Sequence, residues 1–306
     1  MSIQKYRAFL TTVEHKSLTK AAQTLGYTQP GISLMISSLE QELGFPLLVR
    51  TKDGVIPTED AQYLQPYMQQ IVSTEDTLVE ASHRLKGIEI GKLRVGAFTS
   101  TCSKWLPEII STFLSAHPNI DLRIFEGTYG AIQEQLINGT LDMAITSQPI
   151  PNNYDFLPLC TDPILAVLSK DNPLSAYDAI HLQDLVQYPF IVPNEGADES
   201  VQYVLKSENL TPHIRFRIKG DMATISMIER GLGVSLIPKL AIIFPSDRIA
   251  VRPLVKTYSR TLGICIRSMK CASPLAIAFI QAIKDFIENV WQNDSCLIHP
   301  GDSSHD

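Results

Sequence analysis

The sequence has no basic excess. Its 306 residues carry 26 lysines and arginines against 32 acidic residues, a formal charge of −6, so the chain as a whole is not a polycation that would coat nucleic acid or an acidic membrane. No apolar run approaches the ~20 residues that a membrane-spanning helix needs. The N-terminus, with Lys5 and Glu14 inside a helical pattern, is not expected to act as a secretory leader. The expected location is the cytoplasm. Cysteine is sparse: Cys102, Cys160, Cys265, Cys271 and Cys296 are scattered, odd in number and form no Cys-x-x-Cys pair, which excludes a disulfide framework and points to reduced thiols. Cys102, near an expected helix start, reads as a small half-buried side chain rather than a reactive one. The histidines His15, His83, His117, His181, His213, His299 and His305 give no metal-binding spacing. No metal or other cofactor is expected.

Catalytic patterns are missing too. Ser235 in "GVSLI" lacks the second glycine of a nucleophile elbow. Asp142 lies in an apolar strand pattern and is expected to satisfy neighbouring backbone groups. Gly231-Leu-Gly233 follows a helix and precedes a strand, the reverse of a phosphate cradle, and reads as a turn. The chain is not expected to be an enzyme. With 44% apolar and 19% charged residues it is a soluble globular protein of two or three domains.

What is present begins with two apolar stripes. Leu18, Ala21, Ala22 and Leu25 share one face of a short helix, capped by Ser17 and ended by Gly26; Ile32, Met35, Ile36 and Leu39 form a second, with Thr28 as its N-cap and Gln29, Pro30 and Gly31 in its first turn. Ala21 and Ala22 let the two cross closely, and Ile3, Tyr6, Phe9, Leu10 and Val13 supply a covering helix. The result is a helix-turn-helix. A buried hairpin of ordinary kind is the rival reading. Against it stand Thr28, Gln29, Ser33 and Ser37, uncharged hydrogen-bonding side chains of the type that reads base edges. Residues 1–60 hold six cations and six carboxylates, yet from His15 to Leu39 there are two lysines and no acid. The reading surface can be locally positive without a basic sum. Downstream, "LLVRTKDGVIPT" contains the hairpin signal Asp53-Gly54 and reads as a wing whose Arg50 and Lys52 reach phosphates.

From Glu59 to Lys86, positions Ala61, Leu64, Met68, Ile71, Glu75, Leu78, Ser82 and Leu85 follow an alternating three- and four-residue spacing. As a helix this segment spans ~42 Å, and its stripe is expected to meet a copy of itself, with Pro66 kinking or restarting it. "KGIEIGKL", with Gly87 and Gly91, marks a boundary. Beyond it strand and helix patterns alternate through "LRVGAF", a helix from Trp105 to Ser115, "IDLRIFEG", a helix over Ile132 to Asn138 and "LDMAIT". A second set runs through "ILAVLS", "PFIVP", a helix near Ser200 to Lys206, "IRFRI", a helix over Met222 to Arg230 and "GVSLIP". This predicts a parallel sheet with helices on its faces, in two lobes, with "LGICIRS" returning to an extended pattern and Leu275 to Trp291 closing the first lobe.

The run of Ser17, Thr19, Ala21, Ala22, Leu25, Gln29, Pro30, Ser33, Leu39, Glu40, Leu43, Gly44, Leu47, Arg50 and Thr58 resembles the LysR-type transcriptional regulators, and the resemblance covers nearly the whole chain. Leu34 departs from it where the family usually has a basic residue, and Leu48 where an aromatic is usual. The resemblance implies an all-α winged helix-turn-helix domain at 1–58 and a linker or dimerisation helix at 59–87. An α/β two-lobed periplasmic-binding-protein-like effector domain then occupies 91–293, with lobe 1 at about 91–161 and 265–293, lobe 2 at about 162–264, and a disordered tail at 294–306. Expected DNA contacts are Ser17, Thr19, Thr28, Gln29, Pro30, Ser33, Leu34, Ser37, Arg50 and Lys52. Expected dimer contacts are Leu64, Met68, Ile71, Leu78 and Leu85. The peroxide-sensing branch of the family places cysteines where this chain has none, between Cys160 and Cys265, so redox sensing by that route is not expected.

Ligands of open α/β sheets sit at the carboxyl ends of the strands. Those ends carry Thr99, Ser100 and Thr101, then Gly127 and Thr128, then Ser147 and Gln148; the other lobe can offer Asn194, Glu195, Met222, Ala223 and Thr224. None is a lysine or arginine. An anionic group is therefore expected on helix N-terminal amides near Ser100 and Thr101, while Glu195 favours an amine. The expected partners are inverted-repeat double-stranded DNA, a second copy of the chain in a dimer or tetramer, and a small polar metabolite such as a carboxylic or amino acid. The competing assignment is a stand-alone small-molecule binding protein of the periplasmic type with no DNA role, which would leave the hairpin and heptad helix without purpose.

Overall fold

Helix ends near the N-terminus are set by single side chains. In the computed structural model, which describes residues 2–52, 54–85, 91–193, 199–243 and 246–291, α1 (Ile3–His15), α2 (Leu18–Leu25) and α3 (Gln29–Leu43) follow one another closely. The Ser17 hydroxyl accepts the Lys20 N–H at 3.3 Å to start α2, and Gly26, at φ 71°, ends it. The Thr28 hydroxyl accepts the Gly31 N–H at 3.2 Å to start α3, with Pro30 in the first turn, where a missing N–H costs nothing. Phe9, Ala21, Ile32 and Leu39 are fully buried where the three helices cross.

The wing pairs β1 (Leu48–Thr51) with β2 (Gly54–Pro57) antiparallel, Arg50 opposite Val55; Asp53, half of the hairpin signal, lies outside the described residues. The Val55 N–H donates to the Lys16 carbonyl at 3.1 Å, which ties the wing to the end of α1. That contact fixes the residue before it. Gly54 adopts φ +123°, and a Cβ there would stand 2.2 Å from the Lys16 oxygen.

α4 (Glu59–Leu85) is one 27-residue helix that contains Pro66 without interruption. The expected restart does not occur, because Ala61 and Leu64 before the proline and Met68 and Val72 after it pack into the same core as Phe9 and Leu39, and that packing outweighs one missing backbone hydrogen bond. The same contacts divide the expected dimer seam between two faces. Leu64 and Met68 belong to their own chain's core, whereas Ile71 and Leu78 are exposed together with Tyr63, Tyr67 and Val79. The Leu85 side chain lies outside the described residues. Glu75, another seam position, takes the Arg7 guanidinium of α1 at 3.0 Å, and Asp76 shares it. These elements form one unit, Met1–Ile88 with Ile137–Leu141; the other comprises Glu89–Leu136 and Asp142–Asp306.

The second unit opens with β3 (Gly91–Ala97), α5 (Thr99–Lys104), α6 (Leu106–Ala116), β4 (Ile120–Glu126), α7 (Tyr129–Ile137) and β5 (Met143–Ser147). The helix expected from Trp105 to Ser115 is α6, and a further short helix, α5, precedes it, the two meeting at the fully buried Trp105 just ahead of Pro107. Asp142 accepts the Arg94 N–H at 2.8 Å and its guanidinium at 2.6 Å, the backbone-satisfying role its context suggests. There follow β6 (Asp155–Ser169), α8 (Leu182–Leu185), β7 (Phe190–Pro193), α9 (Glu199–Ser207), β8 (Ile214–Ile218), α10 (Asp221–Ile228), β9 (Ser235–Pro238), β10 (Ile249–Arg252), β11 (Ser259–Ile266) and α11 (Pro274–Phe286).

The main sheet runs β10-β6-β11-β5-β3-β4, with β9 also on β6. It is mixed, not wholly parallel as expected: β3 is parallel to β4 and β5, but β11 and β6 run antiparallel to their neighbours. The physical reason lies in β6, a 15-residue strand that serves both lobes. Its first part, from Asp155 to Pro163, pairs with β11, and its remainder pairs with β9 and β10. Lobe 2 closes around Leu168, Phe190, Val201, Val204 and Leu236. In lobe 1, Phe113 of α6 meets Phe279 of α11 edge to face at 4.9 Å, so α11 covers that lobe as the amphipathic pattern predicts. The Gly231-to-Gly233 turn precedes β9, and a Cβ on Gly233 would come within 2.6 Å of the Pro189 oxygen.

Two stability outcomes follow. Met68→Ala should cost about 2–5 kcal/mol, whereas Leu78→Ala should stay within about 0.5 kcal/mol; urea titrations followed by circular dichroism at a protein concentration too low for association will rank them. Gly54→Ala should lower stability by more than about 1 kcal/mol, because its backbone conformation and the Lys16 carbonyl both exclude a side chain. An unchanged melting temperature would contradict this.

Candidate nucleic-acid interface and ligand cleft

Burial of Ile32, Ile36 and Leu39 against α1 and α2 leaves the opposite face of α3 outward. Gln29, Pro30, Leu34 and Ser37 are exposed and Ser33 is half-buried. Ser17 and Thr28 spend their hydroxyls on helix caps, and Thr19 is exposed on α2. Arg50 and Lys52 are exposed on the wing, whose position against α3 is fixed by Glu40: its carboxylate accepts the N–H groups of Leu47 and Leu48 at 2.8 and 3.3 Å. Leu48 packs into the helical core. Leu34 has 72% of its surface exposed and Tyr27, in the turn before α3, has 45%. Tyr27 was missing from the sequence reading, although an aromatic between Gly26 and Thr28 with no apolar partner in register is its signal. The chemistry of this face is hydrogen bonding plus one apolar side chain, flanked by cations on the wing and on α2.

In the second unit, the carboxyl ends of β3 and β4 come together where the Thr99 hydroxyl donates to Glu126 at 2.6 Å. Gly127 sits beside them, its N–H on the Ala97 carbonyl at 3.2 Å, and Thr128 accepts the Ala131 N–H at the start of α7. Ser100, Thr101, Ser147 and Thr224 are buried, and Thr101 and Thr224 donate to the carbonyls of Phe98 and Gly220. Met222 is exposed and Ala223 half-buried on α10. Asn194 and Glu195 lie outside the described residues. α5, expected to receive an anion, is only six residues long, so its end carries little helix dipole.

A cavity of about 940 Å³ lies between the lobes beside Gln148, one of the expected effector positions. Pro149 and Ile150 flank it from lobe 1, Tyr203 and Lys206 from α9 of lobe 2, and Arg260 from β11. Unlike the expected effector residues, this lining includes cations. Arg260 stands opposite Asp162 on adjacent strands, and its Nε and Nη2 lie 2.9 Å from Asp162 Oδ2. Asp162 Oδ1 accepts the Leu240 N–H at 2.9 Å, and the guanidinium lies 5.5 Å from the centroid of the Phe98 ring. Sequence reasoning passed over Arg260; a cation inside the buried pattern "SRTLGICI" was the available signal.

Three thiols sit where burial disfavours the thiolate. Burial pushes Cys102 up to about 12, with Glu126 adding, and does the same to Cys160 and Cys265, with Asp162 and Asp155 adding respectively. Among the described residues no helix is long and apolar enough to cross a membrane.

Comparison with known proteins covers both units. Residues 3–62 match the model of the bacterial regulatory helix-turn-helix protein, lysR family, and residues 86–288 match the LysR substrate binding domain. The uncharacterized HTH-type transcriptional regulator YvbU of Bacillus subtilis is 28% identical over 93% of this chain and 98% of its own. The regulator GltR of the same organism is 27% identical over 94% and 98%. Among solved structures, a full-length OxyR variant from Pseudomonas aeruginosa aligns with a TM-score of 0.77 at 24% identity, covering 94% of this chain and 95% of that one. CbnR in complex with its target DNA aligns with a TM-score of 0.62 at 19% identity, covering 93% and 99%. These relatives are transcriptional regulators, not enzymes. A DNA-reading helix-turn-helix joined to a two-lobed substrate-binding domain, matched by family models over most of its length, places the chain in the LysR family of DNA-binding transcriptional regulators.

Proposed function

We propose that the protein binds an inverted-repeat operator as a dimer or dimer of dimers, and that a small polar metabolite between the lobes of its second unit changes its occupancy or bending of that DNA. The working division is residues 1–58 for DNA reading, 59–87 for joining two chains and 91–293 for the effector. The observation that carries the reading is the outward face of α3. Gln29, Leu34 and Ser37 are exposed on a helix whose other face is core, and the side chains left outward are those that contact base edges in a major groove. The stripe of Tyr63, Tyr67, Ile71 and Leu78 supports pairing with a second copy, since exposed apolar side chains in a row on one long helix gain most from an identical partner.

Gel shifts on the DNA flanking the gene, at several salt concentrations, test the reading. Gln29→Ala should weaken the best site by about 1–3 kcal/mol and random DNA by less; equal losses on both would contradict base reading by this residue. Arg50→Ala and Lys52→Ala should weaken both kinds of DNA alike and flatten the salt dependence. Leu78→Glu should separate the chains in light scattering while circular dichroism stays unchanged, and should shrink a two-half-site footprint with half-sites about one helical turn, or a multiple of it, apart. A variant that remains fully associated would move the interface off this stripe.

A further inference from the structure

The outward row of α3 is apolar where it begins. Leu34 lies two residues from both Ile32 and Ile36, which sets it about 160° around the helix axis from each of these buried side chains. It therefore points straight away from the core, and it is 72% exposed. Pro30, one turn earlier in the same row, is exposed too, and Ser37 and Gln41 continue the row without a charge. Gln29, three residues before Ile32, falls about 60° from it and so belongs to the flank. Resting on the reading of α3 as the helix that enters the DNA, we infer that Leu34 selects one base of the site by packing on a pyrimidine 5-methyl group, which in unmodified DNA is that of thymine.

The major groove offers such a side chain no other favourable partner. Every other feature that distinguishes the bases there is a donor or an acceptor: N7 and O6 of guanine, N7 and N6 of adenine, N4 of cytosine and O4 of thymine. A leucine pressed on one of these strips water from it and returns no hydrogen bond, which costs free energy. Pressed on a methyl, it removes apolar surface from water on both partners. The row of Pro30, Leu34, Ser37 and Gln41 also holds no cation that would draw this part of the helix onto a phosphate.

The surroundings suit thymine in particular. Ser33 and Ser37, one and three residues along from Leu34, carry hydroxyls that can donate to O4, the acceptor beside the thymine methyl. The rotation of α3 is set before DNA arrives. At its start the Thr28 hydroxyl accepts the Gly31 N–H at 3.2 Å, and near its end the Glu40 carboxylate accepts the Leu47 N–H of the wing at 2.8 Å. A side chain aimed by a fixed helix gives up little freedom when it packs, so the contact contributes to discrimination.

The test uses the full-length protein and the duplex it selects from a randomised library, read by gel shift. The selected site should contain a thymine whose replacement by deoxyuridine, which removes only the 5-methyl group, weakens binding about threefold to fivefold, the worth of burying one methyl. At the same place 5-methylcytosine should bind better than cytosine by a similar factor. Leu34→Ala should lose both differences and Leu34→Met should keep them, with circular dichroism and melting temperature matching the wild type because the side chain is on the surface. A site with no uridine-sensitive thymine, 5-methylcytosine no better than cytosine, or methyl effects undiminished in Leu34→Ala would overturn the inference. Gln29→Ala separates this from the larger reading. Equal losses on selected and random duplexes, or no selected sequence at all, would remove the reading of α3 and this inference with it. A selected site that Gln29→Ala weakens, yet that is indifferent to 5-methyl groups, would sink the inference alone.

Discussion

A carboxylate in the middle of a long strand governs the second unit. Asp162 is 1% exposed, and an unpaired ion so placed costs several kcal/mol, so the fold must bring donors to it. It does so from two directions at once, the guanidinium of Arg260 on the neighbouring strand and the Leu240 amide from the lobe beyond. Because β6 contributes to the sheets of both lobes, meeting this one electrostatic demand also sets where one lobe stands relative to the other. The low-polarity surroundings that make Asp162 demanding also keep the Cys160 thiol protonated two residues earlier.

In the N-terminal unit the corresponding constraint is apolar. One long helix has to cover the core of a small domain and still present a face to a partner. α4 does both by using neighbouring stripes: Ala61, Leu64, Met68 and Val72 go inward, and Tyr63, Tyr67, Ile71 and Leu78 go outward. The ion pair of Arg7 with Glu75 ties α1 to this helix near the end of the inward stripe. Exposed pairs of this kind contribute little stability, but they limit the angles at which the helix can leave the domain.

These two cases mark what was legible in the sequence. The helix-turn-helix was readable because its determinants are local. Ser17, Gly26, Thr28 and Gly44 cap or end helices within a few residues of themselves. The strand and helix alternation after Gly91 was readable for the same reason, and so was the satisfied role of Asp142. The faces of α4 were not, because two apolar stripes one residue apart both satisfy a heptad spacing, and only contact with Phe9 and Leu39 decides which one turns inward. The mixed sheet was hidden because β6 joins "DFLPLC" and "ILAVLS" across Pro163, which reads as a break. Arg260 was hidden because its partners lie 98 and 162 residues away in the chain, at Asp162 and Phe98, and no spacing rule connects residues so distant.

The charge distribution bears on how such a protein holds DNA. On the reading proposed here each head meets the duplex with few cations, chiefly Lys16, Lys20, Arg50 and Lys52, while the face of α3 is uncharged and includes Leu34. Phosphate neutralisation supplies most sequence-independent affinity, and its contribution scales with the number of contacts. A single head of this composition is therefore weak on any DNA, and the apolar Leu34 can add to discrimination only through a thymine methyl or similar surface. Useful affinity then requires two heads held at a fixed spacing, where the second binds at a high effective concentration. Under that condition occupancy depends steeply on how the chains are joined. A modest shift at a distant hinge can regulate the DNA contact without touching a DNA-binding residue.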